Sequence, residues 1–562
     1  MTEAVSGLKG WRWHGSALVL YAVVSFLFLD HFASLTKNIL GFGADPTATI
    51  WFFEWLPWSL AHHLSPLHTD LVWQPQGENL VWTTNVPLLS ALALPLTLTA
   101  GPVLAYNVLT LCAPVVAAMA AYCLCLHLTR SPAAALFGGY IFGFSSYEMA
   151  ETLDHLNLDF TVFAPLLVLV AVLRVQGRLS RAATTLLIGV GVACQFMIST
   201  EITATGVVFS TFLWGVALIV LPEARVRLLR LAVDISLAAP ITMLLVSPLL
   251  WAMIRGSHDL AVPTIVAFLF SNDLTSFVVP TSITAFGGSL LGGFTRHFAN
   301  YVDEQGAYIG LPLLLILGVV FCKRWGQPSM RLLALGFAII VVASLGPLLL
   351  IDGYSSRLVL PWYAAMKLPL LSAAEPDRFA LFMWLIIAIV VSLWLAEPRS
   401  ADGARRSVLL ATFACVTIMP ILHPVEPVPE QKLFEPKNLL AAIGLDKRVL
   451  ILPFSFRGNS SYWQMQSHFG FIQTGGYLGY PPRDDDDVPA VAELFSARYR
   501  ATLPADLEQY CLSTGTQFVI AYKQQLDQAV QVALAQSGWP RRQFGEFYIY
   551  TVSNSRVSNL HG

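Results

Sequence analysis

Apolar runs recur along the chain from residue 16 to about residue 423, and short polar connections separate them. They occupy roughly 16–35, 104–127, 133–148, 157–174, 182–199, 204–221, 231–254, 306–322, 332–351, 379–396 and 407–423. About 20 apolar residues span a bilayer as a helix, so the pattern predicts eleven crossings. Segments 86–101 (VPLLSALALPLTLTAG) and 262–280 are also apolar, but the first is short and carries Pro87 and Pro95. Both are expected to be juxtamembrane or re-entrant; if both span, the count becomes thirteen with the same end orientation. Beyond residue 424 the pattern changes. Pro424, Pro427 and Pro436 read as a linker, RVLILPF (448–454), TQFVIAY (516–522) and FYIYTVS (547–553) as strands, and 488–498 and 524–537 as helices. The expected architecture is an all-α multi-pass membrane domain, 1–423, with outer loops 36–85 and 255–305. A small extracytoplasmic α/β domain, 424–562, follows it.

Composition agrees with this class. Of 562 residues, 56% are hydrophobic and 12% charged, against about 25% charged in soluble domains; mean hydropathy is +0.63. The net charge of −2 gives no basic field for nucleic acid. Seven cysteines form no C-x-x-C pair and imply no disulfide framework. Lys9 and Arg12 before an apolar run imitate a signal peptide, but no small-residue cleavage site follows, so the run reads as an uncleaved first helix.

Basic residues set the expected orientation. Arg174, Arg178 and Arg181 share one connection, Arg225, Arg227 and Arg230 a second, Lys323, Arg324 and Arg331 a third, and Arg399, Arg405 and Arg406 a fourth. All fall on one side, which the positive-inside rule makes cytoplasmic. The N-terminus is then inside and the C-terminal domain outside, in a plasma membrane.

The outer segments carry the polar residues. GFGADPTATIWFFEWLPWSL (41–60) presents Asp45 and Glu54 among Trp51, Phe52, Phe53, Trp55 and Trp58. SSYEMAETLDHLNLDF follows with Glu148, Glu151, Asp154, His155 and Asp159, and MISTEIT with Glu201. The long loop adds Asp273, Arg296, His297, Asp303, Glu304 and Tyr308, and the last adds Lys367, Glu375, Asp377 and Arg378. Ionisable groups at membrane depth are costly and mark function. Asp484 to Asp487 lack calcium-loop spacing and read as a solvated loop.

The stretches GADPTATIWFFEW, FGFSSYEMAETLDHLNL, NDLTSFVVP, EQGAYIGLPLLLIL, EPDRFALF and VLILPF…YWQMQSHFGFIQTGGYLG are similar to those of a broad bacterial branch of the GT-C superfamily. The layout also resembles these membrane glycosyltransferases: a first helix, an outer loop with an early acid, many helices and an outer C-terminal domain. The resemblance implies inverting transfer of a sugar from a polyprenyl-phosphate donor to a glycan, glycolipid or protein acceptor on the extracytoplasmic side of a bacterial inner membrane.

Asp45 is the expected general base. Glu54, Asp154, His155, Glu201, Glu304, Tyr308, Lys367 and Arg378 are expected to bind substrate, with Arg378 matching the leaving phosphate and Arg296 and His297 as further cations. Each has a plainer reading. Asp45 caps a helix before Pro46; Glu54 faces headgroups; His155 and Glu201 link helices; Arg378 anchors the interface. The Trp/Phe belt is either an interface girdle or a sugar platform, with Trp51, Trp55 and Trp73 the stacking candidates. Asp45 and Glu54 stand nine residues apart, unlike the neighbouring acids of many GT-C enzymes. A divalent cation, Mg or Mn, is left unassigned, with Asp45, Asp154 and Glu304 able to converge on one. Two further readings stand beside the enzyme: a lipid-linked sugar transporter or flippase, and a non-catalytic assembly protein. Polar residues at one face and the lack of an internal repeat favour the enzyme.

Overall fold

In lipid, backbone polar groups must be satisfied within the segment, so long apolar runs fold as helices. The computed structural model describes residues 2–30, 32–255, 266–368, 371–482 and 488–553; Asp484 to Asp487 lie outside them. Among the described residues seven helices are long and apolar enough to cross a membrane: Arg12–Asp30, Pro102–Thr129, Leu156–Val175, Arg181–Ile198, Thr200–Val220, Pro222–Leu245 and Pro376–Leu395. Other apolar runs give shorter helices, Pro132–Gly143, Leu311–Arg324, Pro328–Ser344 and Ala401–Thr417.

Contacts divide the chain into two units. The first comprises 1–34, 108–247 and 263–425; the second comprises 35–107, 248–262 and 426–562. The first loop thus groups with the C-terminal segment.

In the first unit, helix Pro132–Gly143 packs against Ala380–Leu395. Glycines permit that approach. A Cβ at Gly138 would collide with Ser392 and Cys125, and one at Gly139 with Tyr21 and the Ala118 backbone. Small residues at helix contacts are the usual means of close packing in lipid. Two expected spans are interrupted. The run 332–351 stops being helical at Ser344, before Gly346 and Pro347, and Leu348–Ile351 pairs with Tyr354–Val359 as an antiparallel hairpin. The run 231–254 breaks between Arg225–Leu245 and Ser247–Arg255.

The second unit is built on a five-stranded mixed sheet. Its strands are β1 (Lys447–Leu452), β2 (Phe471–Gln473), β3 (Phe518–Tyr522), β4 (Arg541–Phe544) and β5 (Phe547–Thr551), in the order β4-β5-β3-β1-β2. β1 runs parallel to β2 and β3, whereas β5 is antiparallel to β3 and β4. The first loop completes this unit. Gln473 N donates to Leu71 O, Gln74 N to Gln473 O and Trp73 N to Gly475 O, so residues 71–74 line the β2 edge like a further strand.

Helix Asp45–Ala61 packs on helix Ser460–Gln466, and this corrects the expected aromatic belt. Trp51, Phe52, Phe53 and Trp55 are buried. Trp51 stacks on Trp55 at 5.1 Å and Trp55 on Trp58 at 5.3 Å, with Phe469 against all three. Trp51 Nε1 donates to Gln464 Oε1 at 2.9 Å. The belt is neither a lipid girdle nor a sugar platform; it is the core joining the first loop to the C-terminal segment. Trp73 is likewise buried, edge-on to Phe454. Helix Pro87–Ala100, from the apolar segment 86–101, has 14 residues and packs on Asp45–Ala61.

Candidate functional site

Four helices of the first unit begin beside one cluster of charge. Glu201 lies in the first turn of Thr200–Val220, behind the Ser199 cap. Glu304 ends a short turn, Val302–Glu304, before Leu311–Arg324. Glu375 to Arg378 precede Ala380–Leu395. Glu151 and His155 precede the span Leu156–Val175. The N-terminal end of a helix favours anions, so these ends suit carboxylates.

Arg378 is the hub. Its Nη1 donates to Glu201 Oε2 at 2.5 Å, its Nη2 to Glu304 Oε1 at 2.6 Å, and its Nε to the same oxygen at 3.1 Å. Glu375 Oε2 lies 2.9 Å from Nη2. Glu201 Oε1 also accepts from the Glu375 backbone N–H at 3.1 Å. All three guanidinium nitrogens therefore meet carboxylates. His155 extends the network, with Nδ1 3.2 Å from Glu151 Oε2 and 3.7 Å from Glu304 Oε1. Asp377 receives the Asn300 amide at 3.2 Å and the Arg378 backbone N–H at 3.0 Å, while Asn300 also donates to Glu304 O. The long loop and the last loop are thereby fixed to each other.

Acid exceeds base here. Glu151, Glu201, Glu304, Glu375 and Asp377 surround Arg378 and His155. Burial, then the neighbouring Glu304 charge, pushes Glu151 up to about 8, with His155 opposing. Burial likewise holds Glu375 well above the usual carboxylate range despite Arg378. Such a pocket retains protons or attracts a cation. Glu151, His155 and Glu304 offer ligand atoms within 4.8 Å of one another, as do Glu304, Glu375 and Asp377. Carboxylate and imidazole donors in such a group suit a divalent ion.

The far ends of the same helices are basic. Arg174 lies in the last turn after Leu156, Lys323 and Arg324 end Leu311–Arg324, and Arg399 follows Ala380–Leu395. They form their own ion pairs: Arg174 and Arg181 with Asp234 at 2.5 and 3.1 Å, and Arg324 and Arg399 with Glu397.

Of the residues singled out from sequence, His155, Glu201, Glu304 and Arg378 come together. Asp154 is half-buried one residue before His155. Tyr308 is buried, and its carbonyl accepts from Ser146 Oγ at 2.9 Å. Lys367 stays exposed with its ammonium 4.9 Å over the Tyr363 ring. His297 pairs with Asp352 at 3.1 Å. Asp45 and Glu54 belong to the second unit. Asp45 is buried, 8% exposed, as first residue of Asp45–Ala61; Ala44 holds the N-cap position, so Asp45 is a first-turn acid rather than the cap. Glu54 is half-buried; burial raises its pKa and His468 lowers it. Glu151, Glu375 and Asp377 are outer polar residues by sequence, outside the set expected to bind substrate, and the structure adds them to the cluster. Spacing held a signal: Glu151 is four residues before His155 and Glu375 three before Arg378, the separations that place side chains together on a helical turn.

Comparison with sequence families gives no match, and comparison with curated proteins gives none. Solved structures do match. The chain is similar to the archaeal oligosaccharyltransferase AglB from Archaeoglobus fulgidus, in complex with an inhibitory peptide and a dolichol-phosphate. The TM-score is 0.50 at 11% identity, over 96% of this chain and 74% of that one. It is also similar to the arabinofuranosyltransferase AftD from Mycobacteria, with a TM-score of 0.55 at 15% identity over 97% of this chain. That match covers 42% of AftD, so the chain spans less than half of that enzyme's length. The protein shares its fold with these two solved structures. It is a multi-pass membrane protein with a small C-terminal sheet region.

Proposed function

We propose that the protein transfers a sugar from a polyprenyl-phosphate donor to a glycan, glycolipid or protein acceptor on the extracytoplasmic face of a bacterial inner membrane. The observation that carries this reading is the buried Glu151–His155–Glu201–Glu304–Glu375–Arg378 network at the N-terminal ends of four helices in a GT-C fold. Such a network is costly in a membrane protein without function. The opposite, basic helix ends support its placement outside.

Asp45 is the proposed base: a buried carboxylate in the first loop that takes the acceptor hydroxyl proton as that oxygen displaces the lipid phosphate with inversion. Arg378, with every nitrogen on a carboxylate, acts by positioning Glu304 and Glu201. Glu304, with Glu151 and His155, would hold a divalent cation that neutralises charge growing on the leaving phosphate. Asp154, Tyr308, Lys367 and Glu54 remain proposed substrate contacts.

The test is sugar transfer in proteoliposomes supplied with polyprenyl-phosphate sugars. Asp45→Asn should abolish transfer while leaving expression and folding intact. Near-normal turnover would remove Asp45 as base. Donor movement across the bilayer without transfer would favour the flippase.

A further inference from the structure

Beside the charged cluster, two segments of the first unit meet. Helix Gly288–Thr295 leads to His297, and the hairpin of Leu348–Ile351 with Tyr354–Val359 turns at Asp352 and Gly353. Asp273 accepts from the backbone N–H groups of Asp352 and Gly353 at 3.1 and 2.8 Å, and His297 pairs with Asp352 at 3.1 Å. A Cβ at Gly353 would collide with the His297 carbonyl. The two segments thus form one rigid surface.

Apolar and aromatic side chains stand open on it. Leu290 is 87% exposed, Tyr354 71% and Leu358 56%. Arg296 and Arg357 are exposed, and among the described residues neither meets a carboxylate. Both segments are tied to apolar helix ends. The hairpin follows Pro328–Ser344 by three residues, and Ala285 N and Ile421 N exchange hydrogen bonds with the carbonyls of Met419 and Ile283 just past Ala401–Thr417. Exposed leucine and tyrosine, with cations that meet no carboxylate among the described residues, match the headgroup layer at membrane helix ends: rings and aliphatic groups enter the acyl boundary while cations meet phosphate.

We propose that this surface is an interfacial anchor for anionic phospholipid, with Leu290, Tyr354 and Leu358 entering the bilayer boundary and Arg296 and Arg357 binding lipid phosphate. It does not depend on the sugar-transfer reading.

The test uses the full chain in nanodiscs of phosphatidylcholine with or without phosphatidylglycerol. Retention of phosphatidylglycerol is measured by native mass spectrometry. The double variant Arg296→Gln/Arg357→Gln should retain it about fivefold less, and raised salt should weaken retention by the wild type. With the exposed Cys112 and Cys322 replaced by alanine, a fluorophore attached at Leu358→Cys should be quenched by lipids brominated on the acyl chain. Unchanged retention in the double variant, displacement of the lipid by inorganic phosphate, or an unquenched probe would overturn the proposal. So would crosslinking of the Leu358→Cys position to the chain's own second unit. A charge-keeping Arg296→Lys/Arg357→Lys variant controls for folding and should retain lipid as the wild type does.

Discussion

Arg378 Nη2 lies 2.6 Å from Glu304 Oε1, joining residues 74 apart in sequence. This contact fixes the start of helix Ala380–Leu395 to the turn that precedes Leu311–Arg324. Around the same guanidinium, Glu201 and Glu375 complete a set of three carboxylates on one cation.

Removing that cation should cost more than removing one acid. In Arg378→Met three carboxylates lose their counter-charge, and breaking a buried pair costs about 3–5 kcal/mol. The variant should unfold at clearly lower temperature in detergent. Arg378→Met/Glu304→Gln should recover part of the loss. A double variant less stable than Arg378→Met would show that the two residues do not act as a pair.

Stability should depend on the proton at Glu151. Its folded pKa of about 8 exceeds the free value of about 4.3. Between these values the folded state binds more protons than the unfolded state, so this group's contribution falls as pH rises through that window. Above about pH 8 the loss is complete. Thermal unfolding followed from pH 5 to 9 should fall less steeply in Glu151→Gln than in the wild type; parallel curves would refute the assignment.

The C-terminal segment should not fold well alone. Gln464 Oε1 accepts from Trp51 Nε1 and Gln473 Nε2, while Gln464 Nε2 donates to Leu71 O and Phe471 O. Two of those partners come from the first loop. A fragment of residues 424–562 should be cut rapidly by protease, and within the whole chain Gln464→Leu should sensitise the same region. Each buried partner left unsatisfied costs about 1–3 kcal/mol. A protease-resistant fragment with cooperative unfolding would contradict this.

Close helix packing around Pro132–Gly143 should tolerate no side chain at Gly139. Gly139→Val would drive a branched group into Tyr21 and the Ala118 carbonyl. Overpacking costs about 1–3 kcal/mol, and a backbone neighbour cannot yield as a flexible side chain can. Folded yield in detergent should fall well below that of the wild type, whereas Gly215→Ala, with open space around it, should leave yield unchanged.

Much of the fold was legible because its signals are local. Apolar length gave the membrane helices, and strands 448–454, 516–522 and 547–553 appear as β1, β3 and β5. β4 was missed because Arg541, Arg542 and Gln543 are polar; it is the outer strand, with exposed residues. By sequence the 332–351 run looks like one span, because apolar content does not separate a helix from the hairpin strand Leu348–Ile351 that follows Pro347. The aromatic belt is ambiguous for a related reason. A row of Trp and Phe has the same composition whether it faces lipid or packs on Phe469 and Gln464.

Local patterns along the chain specify a multi-pass helical membrane protein, a strand-bearing C-terminal segment, and polar residues gathered in the connections opposite the arginines. Which of those polar residues meet follows from the packing of distant segments. Glu201, Glu304 and Arg378 are separated by 74 to 177 residues, and their convergence depends on which helices pack side by side. That packing also decides the partner of residues 41–60. Periodicity records which face of a helix is apolar, but the surface that covers that face belongs to a segment some 400 residues away, and no local pattern encodes it.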